Sequence, residues 1–209
     1  LFWRLDFSAI LQGYEGRSFT LRERLLTQPR IIFFYIYQLL YSLQNQLMLL
    51  HDVAVSKSFF SPITTSLSIL GIAGAITFAF ARSAKYPLLA FAILFFFINH
   101  AIEGSFIPLE LIYEHRNYIP SFFFFVPIAI FIIHILSYFS SRKIIQIAIA
   151  LLLAVVWIGQ GHTVHKRNDF FTNPLVFWLD NALNAPGLSR VHMNLGTSYM
   201  QLGFYEKAH

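Results

Sequence analysis

Glu114, His115, Arg116, Asn117 and Tyr118 stand in a row just before an apolar run that opens on four consecutive phenylalanines, Phe122 to Phe125. Residues of these types, so placed, could hold an anion. The guanidinium of Arg116 offers a planar fork to a phosphate. A helix starting near 119 would aim its own N-terminal N–H groups at the same charge. A structural role fits the same residues: they cap that helix while the arginine rests on lipid headgroups. His51 and Asp52, in "LMLLHDVAVS", form a second polar pair expected on the same face.

Other chemistry is thin. His162 and His165 make an H-x-x-H pair, which lacks the third and fourth ligands of a metal site and reads as ordinary interfacial histidines. His100 and His134 sit in or at the edge of apolar runs, where an ionisable group is a functional candidate or a satisfied structural one. No nucleophile elbow, phosphate-binding loop or dinucleotide fingerprint occurs. With no cysteine among 209 residues, disulfides, thiol chemistry and zinc–thiolate sites are excluded.

The elements that must position these residues are apolar. Only 12% of the chain is charged, 56% is hydrophobic and the mean hydropathy is +0.59. A soluble domain carries about 25% charged residues, so the expectation is an all-α polytopic membrane protein. Charge-free spans are expected at 63–81, 87–102, 119–139 and 144–161, with 31–50 either crossing or re-entering. Residues 1–30 hold five arginines and a "TLRE" capping box, which predicts a short amphipathic helix from Thr20 that Pro29 stops. The net charge of +5 fits basic loops and lipid headgroups, with no pattern for nucleic acid.

Orientation follows from loop charge. Arg82 with Lys85, and Arg142 with Lys143, make short basic turns that belong in the cytoplasm. The 103–118 loop is mainly acidic and belongs outside, as does the segment from His162 onward. The arginines of 1–30 argue for a cytoplasmic start and hence for 31–50 as a true span.

Beyond Gly161 the chain turns polar. Asn173-Pro174 predicts a helix start, Pro186-Gly187 its end, and 189–202 an antiparallel partner. Asn194, Leu195, Gly196, Tyr199, Gly203, Tyr205 and Ala208 have the spacing of a tetratricopeptide repeat, and Trp178 and Pro186 fit the preceding repeat in the same register. One repeat cannot bury its own face, so more are expected after His209. With its start at Leu1, the chain reads as an internal or C-terminal piece of a longer protein.

"FTLRERLLTQPRIIFFYIYQLL", "LLHDVAVS" and "SFIPLELIYEHRNYIPS", followed by repeats, resemble bacterial polytopic membrane proteins with a tetratricopeptide tail. These are similar to the transmembrane-and-tetratricopeptide, O-mannosyltransferase-like proteins of GT-C architecture. The resemblance implies sugar transfer from a polyprenyl-phosphate carrier, with the tail periplasmic and presenting an acceptor protein. It makes Arg116, His115, Glu114, Asn117 and Tyr118 candidate carrier ligands, with His51 and Asp52 secondary. Such enzymes keep their catalytic acid in an earlier loop, so no catalytic residue is assigned in this chain and no cofactor is expected in it, with a divalent metal or a lipid-linked sugar donor left open. Ser42 stands where such proteins often carry a proline. The alternative is a non-catalytic membrane scaffold whose repeats recruit an extracytoplasmic partner. A transporter is weaker, for want of an inverted repeat.

Overall fold

A computed structural model describes residues 11–41 and 47–208. Arg4, Ser42 and the polar stretch from 44 to 46 lie outside them. Among the described residues every long element is a helix: α1 (Leu21–Leu40), α2 (Thr64–Arg82), α3 (Pro87–Glu103), α4 (Phe125–Tyr138), α5 (Lys143–Phe170), α6 (Pro174–Asn184) and α7 (Ser189–Gln201). Short 3-10 turns cover Glu114–Asn117, Pro120–Phe123 and Tyr205–Lys207.

Among the described residues three stretches are long and apolar enough to cross a membrane: Thr64–Arg82, Pro120–Tyr138 and Lys143–Phe170. At a rise of about 1.5 Å per residue, 19 residues extend about 28 Å, close to a hydrocarbon core of about 30 Å. Their side chains are largely uncovered by protein. Leu67, Leu70, Phe131, Ile133, Ile144, Leu152 and Trp157 are all exposed. In water such faces would collapse; lipid is the solvent that suits them. α3 is shorter, and Ala90, Ala92, Phe96, Phe97 and His100 bury one side of it.

The chain divides into two compact units, Leu1–Ile36 with Val53–Ile133, and Tyr37–Asp52 with His134–His209. In the first, α2 packs on α3, and α3 on the two 3-10 turns. α1 also comes close to α2, where a Cβ on Gly71 would stand only 2.7 Å from Cζ of the Phe33 ring.

Three expectations change. Pro29 does not stop α1, which runs on to Leu40. The proline removes one N–H from the ladder, but side chains on both sides of it are pinned: Thr27 Oγ1 accepts from Ser56 N at 2.8 Å, and Arg30 Nη1 donates to the Ala54 carbonyl at 2.8 Å. Those same bonds hold residues 27 and 30 beside 54 and 56, and the helix that carries the first part of the 31–50 segment ends at Leu40. Nor is 119–139 one regular helix. Pro120 and Pro127 lack N–H groups, and the run begins as a 3-10 turn before α4 starts at Phe125. Finally, α5 passes 161 and continues to Phe170, with Gly159 and Gly161 inside the helix.

In the second unit α6 and α7 pack together, and the short connection makes them antiparallel neighbours. Asn173 caps α6, its Oδ1 accepting from Leu175 N at 3.0 Å and Val176 N at 3.3 Å. α7 closes in a Schellman motif. Gly203 adopts φ +79, Gly203 N donates to the Met200 carbonyl and Phe204 N to that of Tyr199. Gly196 is tight against the chain that follows: a Cβ there would meet the Ala208 carbonyl oxygen at 3.0 Å. Gly196→Leu should therefore overpack this contact, at roughly 1–3 kcal/mol. Faster amide exchange across 189–208 in the whole chain is the expected readout, and unchanged exchange would show that the contact has room to spare.

Candidate functional site

The polar residues of the first unit gather around the 103–118 loop, and α1 carries most of what holds it. Arg24, Thr27, Gln28, Ile31 and Tyr35 recur at helical spacing and are all buried on one face. Arg24 is fully buried. Its Nε donates to the Ser105 carbonyl at 3.0 Å, Nη2 to that of Glu103 at 2.9 Å, and Nη1 to those of Leu109 and, at 3.3 Å, Glu110. One guanidinium thus gathers four carbonyls of an irregular loop that would otherwise be short of donors. Two lie at or just beyond the C-terminus of α3, whose dipole also favours a cation.

Further along the stripe, Gln28 Nε2 donates to the Leu111 carbonyl at 3.2 Å. The Tyr35 hydroxyl donates to the Tyr113 carbonyl at 3.0 Å and accepts from Tyr113 N at 2.9 Å. From outside the stripe, the Tyr14 hydroxyl donates to the Phe106 carbonyl at 2.8 Å, and Arg17 pairs with Glu110 at 3.2 Å.

Arg116 completes this assembly from within the loop. Its Nε lies 3.2 Å from a Glu103 carboxylate oxygen, its Nη1 donates to the Glu110 carbonyl at 2.6 Å, and its guanidinium lies 5.1 Å from the centre of the Tyr113 ring. The side chain is 7% exposed, that of Glu103 45%. Asn117 is buried beside it, Oδ1 3.2 Å from His100 Nε2 and Nδ2 donating to the Tyr35 carbonyl at 3.3 Å. His100 stacks on Tyr35, with ring centres 5.2 Å apart and planes within 13°. The result is a polar platform made by Arg17, Arg24, Arg116, Glu103 and Glu110, beside which Tyr35, His100 and Asn117 are joined by hydrogen-bond and ring contacts.

No protein-family model, curated protein or solved structure matches the chain. The platform must therefore be read from its own geometry.

The five adjacent candidates separate into two groups. Arg116 and Asn117 turn inward and are engaged as described. His115 and Tyr118 are exposed, His115 beside the Tyr113 ring and Tyr118 edge-on to Phe122. The carboxylate seen against Arg116 is that of Glu103, whereas Glu114 starts the 3-10 turn that carries the arginine. His51 and Asp52 belong to the second unit, where the Asp52 carboxylate packs on Gly187 between α6 and α7, 2.5 Å from where a Cβ would stand. Among the described residues no group of three or more His, Cys, Asp or Glu could hold a metal.

Arg24, Tyr35, Glu103 and Arg17 are platform residues that the linear pattern did not single out. The available signal was the stripe on α1: polar residues on the face that also carries Ile31 must be buried, and buried polar groups need partners.

Proposed function

We propose that this chain is the C-terminal membrane part of a GT-C-type glycosyltransferase that draws its sugar from a polyprenyl-phosphate carrier. The carrier's phosphate would meet Arg116, and the paired helices α6 and α7 would open a tetratricopeptide tail that presents an acceptor or partner protein. The observation that carries the reading is a densely hydrogen-bonded polar platform in a chain of apolar, uncovered helices. It suits a ligand that is a charge on a greasy tail. Glu103 already supplies an anion to Arg116 from a half-exposed position, and a phosphate could replace that carboxylate without leaving the arginine unpaired. His115, exposed one residue away, is a second donor.

Binding of a polyprenyl phosphate to the full-length protein in nanodiscs tests this. Arg116→Ala should weaken it tenfold or more, the effect of losing one charge-assisted contact worth about 1.5–3 kcal/mol. Arg116→Lys should recover part of the loss, since an ammonium lacks the fork. Glu103→Gln, which removes the competing anion, should bind at least as tightly as the wild type.

A second reading draws on a specific observation: Arg116 is almost wholly covered and already has its partners. In that case the platform only latches the loop, and the protein is a membrane scaffold whose tail recruits an extracytoplasmic protein. Unchanged carrier binding in Arg116→Ala, with normal expression, selects this reading.

The accompanying orientation puts Arg82, Lys85, Arg142 and Lys143 in the cytoplasm of a bacterial inner membrane, and the platform and helix pair in the periplasm. The two tight basic turns support it. Arg17 and Arg24 do not count against it, because their charges are engaged with the 103–111 loop and share its side. In the cysteine-free chain, Ser189→Cys and Arg22→Cys should react with an impermeant thiol reagent in spheroplasts, and Ser141→Cys only after lysis. The reverse pattern would invert the orientation.

A further inference from the structure

Beside α1, away from the buried stripe, lies an open groove of about 850 Å³ lined by residues 11, 14, 17–23, 25, 26 and 59. Its walls are mostly apolar, with Leu11, Leu25 and Phe59 exposed in them. Two arginines, Arg17 and Arg22, stand among the lining residues. The acidic member, Glu23, is already engaged in the cap of α1, where its carboxylate accepts from both the backbone N–H and the hydroxyl of Thr20 at 2.9 Å. The groove is thus mostly apolar, with two guanidiniums and one carboxylate among its lining residues.

Its location narrows the occupant. Phe59 continues into Phe60 and Ile63, both exposed, and Thr64 then begins α2, a helix long and apolar enough to cross a membrane. If α2 crosses the membrane, the exposed residues just ahead of its first turn, Phe59 of the groove among them, lie where the helix enters the bilayer. That level is where a phosphate and the first methylenes of an acyl chain lie together. Arg17 keeps one nitrogen on Glu110, and Arg22 is the more exposed of the two arginines.

We propose that this groove holds one anionic phospholipid of the surrounding bilayer, its phosphate at Arg22 and Arg17 and one acyl chain against Leu21, Leu25 and Phe59. The inference rests on α2 crossing the membrane and is independent of the glycosyltransferase reading. A lipid held there would seat the start of α1 at the interface and, through the Arg17–Glu110 pair, steady the platform loop.

Native mass spectrometry of the whole chain released from nanodiscs with equal amounts of phosphatidylglycerol and phosphatidylcholine tests the proposal. The wild type should retain one phosphatidylglycerol in preference to phosphatidylcholine. Arg22→Ala should lower that preference about fivefold, the weight of one basic contact at an anionic surface. Leu25→Trp, which fills the groove from an exposed position, should abolish retention of either lipid, with helicity by circular dichroism unchanged. Equal retention of the two lipids by the wild type, or undiminished retention by a folded Leu25→Trp, would overturn the proposal. Displacement by polyprenyl phosphate at a concentration that leaves Arg116→Ala equally displaced would assign the groove to the carrier instead and overturn it as well.

Discussion

Arg24→Ala is expected to destabilise the first unit by roughly 3–5 kcal/mol, a large share of the stability of a small folded unit. The reason is the asymmetry of buried polar groups. The guanidinium itself leaves without consequence, but the carbonyls of Glu103, Ser105, Leu109 and Glu110 lose the donors that satisfied them. Each buried acceptor left unpaired costs about 1–3 kcal/mol, reduced where water can reach it. Burial lowers the pKa of Arg24 from its ordinary value, yet an arginine remains charged, so the carbonyls and the α3 terminus are what hold the cation. Arg24→Lys should recover little, because one ammonium cannot span acceptors from 103 to 110. Thermal unfolding in detergent supplies the magnitude. Labelling of Ser105→Cys, faster in the Arg24→Ala background, reports the loop itself. A melting temperature within a degree of the wild type and an unchanged labelling rate would mean that the four bonds are dispensable.

The second large effect is expected at Asp180. Arg167 lies near the end of α5 with its side chain 3% exposed, paired to Asp180 on α6. Its Nε and Nη2 are buried without a hydrogen-bond partner, and the guanidinium lies 5.2 Å from the Phe170 ring, 5.8 Å from that of Phe177 and 5.9 Å from that of Phe171. Aromatic faces soften the burial of a cation but replace neither water nor a carboxylate. Asp180→Ala should therefore cost about 3 kcal/mol, the low end for breaking a buried pair, since Asp180 is itself 21% exposed. Removing both charges is another matter. Arg167→Met with Asp180→Leu should come close to the wild type or exceed it, because an apolar pair of similar volume avoids the desolvation of two ions. If the double variant is as unstable as Asp180→Ala alone, the ion pair contributes more than its own desolvation, and the hydrophobic-replacement argument fails here.

What the linear chain determined was everything that depends on composition and near neighbours. Apolar runs of about twenty residues are helices in lipid because a helix satisfies every backbone group within the segment itself, and α2, the 120–138 run and α5 follow from that. Asn173-Pro174 starts α6 and Gly203 closes α7 because caps and left-handed turns are settled within four residues. Tertiary structure decided the rest. Whether Pro29 ends a helix depended on bonds from Thr27 and Arg30 to residues more than twenty positions away. Residues 114–118 were visible as a cluster, but their arrangement was not. A 3-10 turn, not a continuous helix, set Arg116 against Glu103 and Asn117 against His100, while Arg24 and Tyr35, some eighty residues earlier, closed the loop over them. A side chain's partner is chosen by the fold when the nearest acceptors in space are distant in sequence, and in this platform nearly all of them are.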